Sequence, residues 1–108
     1  MWIISNQFNN NPSETDMHNT NLKVIRKPEA CQLAGLSNTS LFEQTKAGIF
    51  PPPISLGARA VGFIAHEIQA VLAARSVGKS DNEIRSIVKA LIKQRETSAN
   101  DLLKHLAA

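Results

Sequence analysis

A chain of 108 residues, 43% hydrophobic and with a formal net charge of +3, has room for one small domain with tails. One cysteine excludes an intramolecular disulfide and suits a reducing compartment, and no apolar run approaches the ~20 residues of a membrane span. Trp2-Ile3-Ile4 is too short for a signal-peptide core and has no positive region before it, so the chain reads as cytoplasmic, with no membrane partner.

Residues 1–21 carry Asn6, Asn9, Asn10, Asn11, Asn19 and Asn21, with Glu14 and Asp16 as their charges and no periodic apolar pattern. That composition predicts a disordered leader. Order is expected from Leu22, where LKVI is a short apolar alternation suited to an extended lead-in. Pro28-Glu29 opens a first helix, with the ring in the first turn and the acid at the positive end of the dipole. Ala30, Cys31, Leu33 and Ala34 follow at helical spacing until Gly35 breaks the run.

Ser37 is the natural N-cap of a second helix over Asn38 to Ala47, and Gly48 is its stop. A step of about 100° per residue puts Leu41 and Thr45 on one side, with Phe42 at the border. Thr39, Glu43 and Lys46 fall on the opposite side, with Ser40 beside them. Helix, glycine break and serine-capped helix is the grammar of a helix-turn-helix.

Pro51, Pro52 and Pro53 then hold the backbone extended. Ile54 and Leu56 are separated from Val61 and Phe63 by Gly57-Ala58-Arg59, which suits a short hairpin at a sheet edge. Ala65 to Val77 reads as a third helix on the stripe Ile68, Val71 and Leu72, with His66-Glu67 facing solvent. The fold expected from residues 22–77 is mainly α, a winged helix-turn-helix with a two-stranded wing.

Residues 78–108 form a C-terminal helical extension. Ser80-Asp81-Asn82-Glu83 has the spacing of a capping box. Ile84, Ile87, Val88, Leu91 and Ile92 recur at three- and four-residue steps, while Arg85, Lys89, Lys93 and Arg95 decorate the rest. A polar break at Thr97-Ser98-Ala99-Asn100 and a cap at Asp101 predict a separate last helix carrying Leu102, Leu103 and Leu106. The apolar stripe needs cover, either by folding back on the winged domain or by pairing with another copy as an oligomerisation surface.

Residues 22–75 resemble the AlpA family of phage and genomic-island regulators, small relatives of the MerR-type winged helices. The resemblance rests on Lys23-Val-Ile-Arg-Lys-Pro-Glu29, Ala34-Gly-Leu-Ser37, Gly48-Ile-Phe-Pro51, Leu56-Gly57 through Arg59-Ala-Val-Gly-Phe63, and Ala73-Ala-Arg75. It implies a DNA-binding protein that regulates integrase transcription, or an excisionase that steers a recombinase, and not an enzyme. Three positions depart from the family pattern. Asn38 stands where an arginine commonly follows the serine, Phe63 stands for a wing tryptophan, and the tryptophan that often ends the third helix is absent. The first bears on target sequence; the others are volume-related core changes.

A recognition helix reaches base edges from its N-terminal end, which nominates Asn38, Thr39 and Ser40, with Glu43 and Lys46 further along. Asn38 suits adenine and Glu43 a cytosine amino group. Arg59 at the hairpin tip suits a phosphate or the minor groove, and Lys23, Arg26 and Lys27 suit flanking phosphates. Each has a plainer reading as a solvated polar residue. Residues 22–63 carry five basic and two acidic side chains, so one copy should grip double-stranded DNA weakly and a homo-oligomer is expected.

Catalysis has little to work with. No tyrosine is present, which excludes a tyrosine recombinase, and a serine recombinase needs more chain. Cys31 reads as a small core residue, and His18, His66 and His105 are dispersed, so neither a metal nor a cofactor is expected. Three functions stay open: promoter-bound regulator, DNA-bending excisionase that recruits an integrase, and a protein-interaction module without DNA binding.

Overall fold

The computed structural model describes residues 22–107. The expected leader lies outside the described residues. In chain order the elements are β1 (Val24–Ile25), α1 (Lys27–Ala34), α2 (Asn38–Ala47), β2 (Ile54–Gly57), β3 (Ala60–Ile64), α3 (Ala65–Ser76) and α4 (Asp81–Ala107).

Local signals set the first helix pair. Pro28 sits in the first turn of α1, and Gly35 closes the helix at φ 69°, its amide meeting the Cys31 and Gln32 carbonyls. Ser37 caps α2 by accepting from the Ser40 amide at 3.1 Å, and Gly48 at φ 83° ends it. A side chain at Gly48 would need that left-handed backbone and would also stand 3.4 Å from Arg85 Cγ. The α2 boundaries match those expected.

The hairpin is wider than the sequence pattern suggests. Its strands β2 and β3 pair antiparallel, Ile54 opposite Gly62 and Ser55 opposite Val61, with a register shift between Ser55 and Gly57. The lead-in LKVI supplies β1, which pairs with β3 through Val24 opposite Ile64 and Ile25 opposite Phe63. The expected pair of strands forms, and β1 extends it to a three-stranded sheet of order β1-β3-β2. Gly62 lies in the middle strand where a Cβ would come within 2.5 Å of Val24 Cγ1 and 3.0 Å of Leu56 Cδ1. Only a glycine lets both neighbouring strands approach there.

Two apolar clusters hold the domain. The first joins Ile25, Ala30, Leu41, Phe50, Phe63 and Ile68, with the Phe50 and Phe63 rings edge to face at 6.1 Å. It fastens β1, α1, α2, the hairpin and α3 to one another. The second joins Ile49, Val71, Ala74, Ile84 and Val88, with Ile87 and Leu91 packed against it. It ties α4 to α3 and to the segment that follows α2.

The second cluster corrects part of the expected oligomerisation surface. Ile84 and Val88 are buried in their own chain, Ile87 and Leu91 are half-buried, and Ile92 alone of that set is exposed. The stripe folds back. The expected break at residues 97–100 is also absent, because α4 runs unbroken from Asp81 to Ala107. Thr97, Ser98 and Asn100 are only moderately poor helix formers, and a helix already nucleated gains a hydrogen bond for each residue it adds.

The capping box forms as expected. The Ser80 amide donates to Glu83 Oε1 at 2.9 Å and the Glu83 amide to Ser80 Oγ at 3.2 Å. The bond from the Ser80 amide, with Lys79 nearby, lowers the Glu83 carboxyl below its ordinary value. A depressed carboxylate stabilises the fold above its unfolded value, and that contribution fades as pH falls through the lowered one.

Glu67 contradicts its expected exposure: His66 is exposed, but Glu67 is buried to 1%. Its carboxylate accepts two bonds from Arg95 of α4, from Nε at 2.8 Å and from Nη2 at 2.6 Å. The same Nη2 donates to the Pro52 carbonyl at 2.7 Å. Breaking one side strands a buried charge, so Arg95→Met is expected to cost about 3–5 kcal/mol in urea unfolding. Pairing it with Glu67→Leu removes the charge as well, and most of the loss should return. Equal losses in the single and double variants would show that the pair carries no such role.

Candidate nucleic-acid interface

The polar side of α2 is set by what its other side buries. Leu41 is 2% exposed in the first cluster, and Thr45 turns its hydroxyl back onto the Leu41 carbonyl at 2.8 Å. With that side inward, Asn38, Thr39, Glu43 and Lys46 are exposed, and Ser40 is half-buried beside its Ser37 cap. Asn38 is not free on every side. Its Oδ1 accepts from the Cys31 thiol at 3.3 Å, which leaves the amide NH₂ as the outward donor. Cys31 itself is half-buried, packing on the edge of the core rather than within it.

The hairpin stands beside this helix. Lys27 of α1, Leu41, Phe42 and Thr45 of α2, Pro53, and Val61 and Phe63 of β3 line one shallow groove of about 120 Å³. The groove makes helix and hairpin neighbours on one side of the domain. At the turn, Gly57 takes φ 110° and Ala58 φ 39°, a left-handed value unusual for a residue with a side chain. These two residues turn the chain so that Arg59 is exposed at the tip. Arg26 and Lys27 are exposed at the start of α1. Lys27 thus joins the groove that links helix and hairpin, while Arg26 does not line it.

Two side chains that the sequence pattern placed among surface decoration position this surface. Arg85 donates from Nε to the Ala47 carbonyl at 3.0 Å, satisfying a free carbonyl and adding positive charge at the negative end of the α2 dipole. Its Nη1 is steadied by Asn82 Oδ1 at 2.8 Å. Arg95 holds the proline arm through Pro52. A signal for Arg95 exists in the sequence: eleven residues after Ile84, it falls within roughly 20° of the same stripe. Glu67 likewise shares a helix side with Val71 and Ala74. A lone charge on each of two apolar faces is the mark of a pair.

Among the described residues, no group of three or more His, Cys, Asp or Glu side chains is placed to hold a metal ion. Nor, among the described residues, is any helix long and apolar enough to cross a membrane.

The family described as Prophage CP4-57 regulatory protein (AlpA) matches residues 23–76, half of the chain. The chain belongs to the AlpA family. The match covers β1 through α3, the unit built around the first apolar cluster, and leaves out α4. This AlpA-family chain is also similar to the uncharacterized protein ORF88 of Enterobacteria phage P4. The two are 37% identical over 60 residues, which cover 56% of this chain and 68% of the phage protein. No solved structure matches it. Membership makes it a relative of prophage regulatory proteins rather than of enzymes.

Proposed function

We propose that the chain is a sequence-specific DNA-binding transcriptional regulator of a prophage or integrative element, acting in the cytoplasm. In this reading α2 enters the major groove, where Asn38, Thr39 and Ser40 meet base edges, with Glu43 and Lys46 further along. Arg59 reaches the backbone or the minor groove from the hairpin tip, and Arg26 and Lys27 meet flanking phosphates. One observation carries it: helix and hairpin bury their inner residues in one core, so that the exposed polar side of α2 stands beside a hairpin whose tip exposes Arg59. The same surface would serve an excisionase that recruits an integrase. Several phased footprints at an attachment region would favour that role, and one short footprint at a promoter favours regulation.

Arg59→Ala is expected to weaken binding to every duplex and to reduce the slope of log affinity against log salt by about one, the share of one phosphate. Asn38→Ala should instead change which sequences a randomised library yields. Gel shifts indifferent to Arg59→Ala and Lys46→Ala together would support the protein-interaction reading over this one.

The sparse positive charge calls for more than one copy on the DNA. The core-facing stripe of α4 runs past the domain to Leu102, Leu103 and Leu106, which are 59%, 60% and 74% exposed. A second copy lying antiparallel would cover these leucines. It would also bring the Glu96 end of each α4 to the Lys104 and His105 end of the other. Sedimentation equilibrium should give a dimer that Leu102→Asp with Leu106→Asp turns into a monomer. A wild-type monomer at every concentration would remove this part of the proposal.

A further inference from the structure

Phe42 is a large aromatic side chain left 61% exposed on a helix whose other large apolar residue, Leu41, is buried. It lies between two of the polar candidates. Asn38, Phe42 and Lys46 follow at four-residue steps and so stand one above another on the helix surface. The Lys46 ammonium sits 5.9 Å from the ring centroid, close enough for the cation to hold the ring against the helix. The ring also lines the groove shared with Leu41, Pro53, Val61 and Phe63. The ring carries no polar group, so its exposed surface is apolar.

Base pairs show the major groove donors, acceptors and a single apolar group, the thymine C5-methyl. A helix face carrying polar readers with a bare ring between them is matched to a sequence with a methyl between its polar edges. Resting on the DNA-binding reading above, we infer that Phe42 is a specificity-determining residue that selects thymine by packing against its C5-methyl. Asn38, one turn nearer the helix start, then reads the adjoining base edge. Lys46, one turn further, meets a phosphate while keeping the ring in place.

Deoxyuridine differs from thymidine by that methyl alone, and so isolates the contact. A randomised duplex library is first selected on the full chain. In the selected duplex each thymine is then replaced singly by deoxyuridine, and binding is read by fluorescence anisotropy. One position should weaken wild-type binding by about fourfold on losing its methyl, the factor for burying one such group. Phe42→Ala should weaken the thymine duplex by a similar factor and be indifferent to uracil at that position, while Phe42→Leu keeps part of the preference. Circular dichroism melts should show all three proteins equally folded, because the position is exposed.

Equal responses of wild type and Phe42→Ala to every uracil, or selected sites without thymine, would overturn the assignment and leave DNA binding standing. A library from which wild-type protein retains no duplex would remove the DNA-binding reading and this assignment with it.

Discussion

Three segments far apart in the chain meet at one guanidinium. Arg95 of α4 grips the buried Glu67 of α3 with two nitrogens and the Pro52 carbonyl with one of them. A pair of this kind adds little net stability over well-packed apolar residues, because both charges must leave water. Its value is geometric: the guanidinium is a flat fork, and a bidentate carboxylate fits it in one orientation. Pro52 has no amide to offer and its backbone is stiff, so a bond to its carbonyl fixes the direction in which the chain enters β2.

The long C-terminal helix thereby becomes a brace for the part of the chain that the family shares. Near its start, Arg85 bonds the last turn of α2 through the Ala47 carbonyl. Further along, Arg95 holds the arm that leads to the hairpin. Between them, Ile84 and Val88 fill the second apolar cluster. The end of α2 and the arm leading to the hairpin are thus both tied to one unbroken helix. On the proposed DNA-binding reading, a surface that follows the contours of a duplex gains from such stiffness, since freedom lost on binding subtracts from affinity. The chain has few positive charges in this region with which to offset such a loss.

Much of this could be read from the residues, and the division has a physical cause. Ser37 and Gly48 mark the ends of α2 because capping acts within one turn and asks nothing of distant residues. Ser80 and Glu83 announce α4 in the same way, and the three prolines before Gly57 announce the hairpin. By contrast, β1 has two residues, too few for any periodicity, and exists because β3, far along the chain, offers it a free edge. Residues 97–100 look like a break only if each is judged alone, whereas helix growth is cooperative. Glu67 and Arg95 each look solvated in isolation. Their burial is a property of the pair, and it appears only when both helices are laid side by side. At the candidate interface the polar side of α2 was legible from its spacing, while the bond from Cys31 to Asn38 and the ring of Phe42 beside the hairpin depend on packing that no local pattern encodes.

The central claim is that α2 and the hairpin act as one surface because α4 fixes them together. An amide-resolved NMR titration with a bound duplex, run on the wild-type chain and on Arg95→Met, tests it most directly. For the wild type, signals from Asn38 to Lys46 and from Gly57 to Arg59 should shift together and saturate at one duplex concentration. For Arg95→Met, the hairpin signals should lag behind those of α2. Shifts confined to one of the two elements in the wild type, or an undiminished joint response in the variant, would contradict the account.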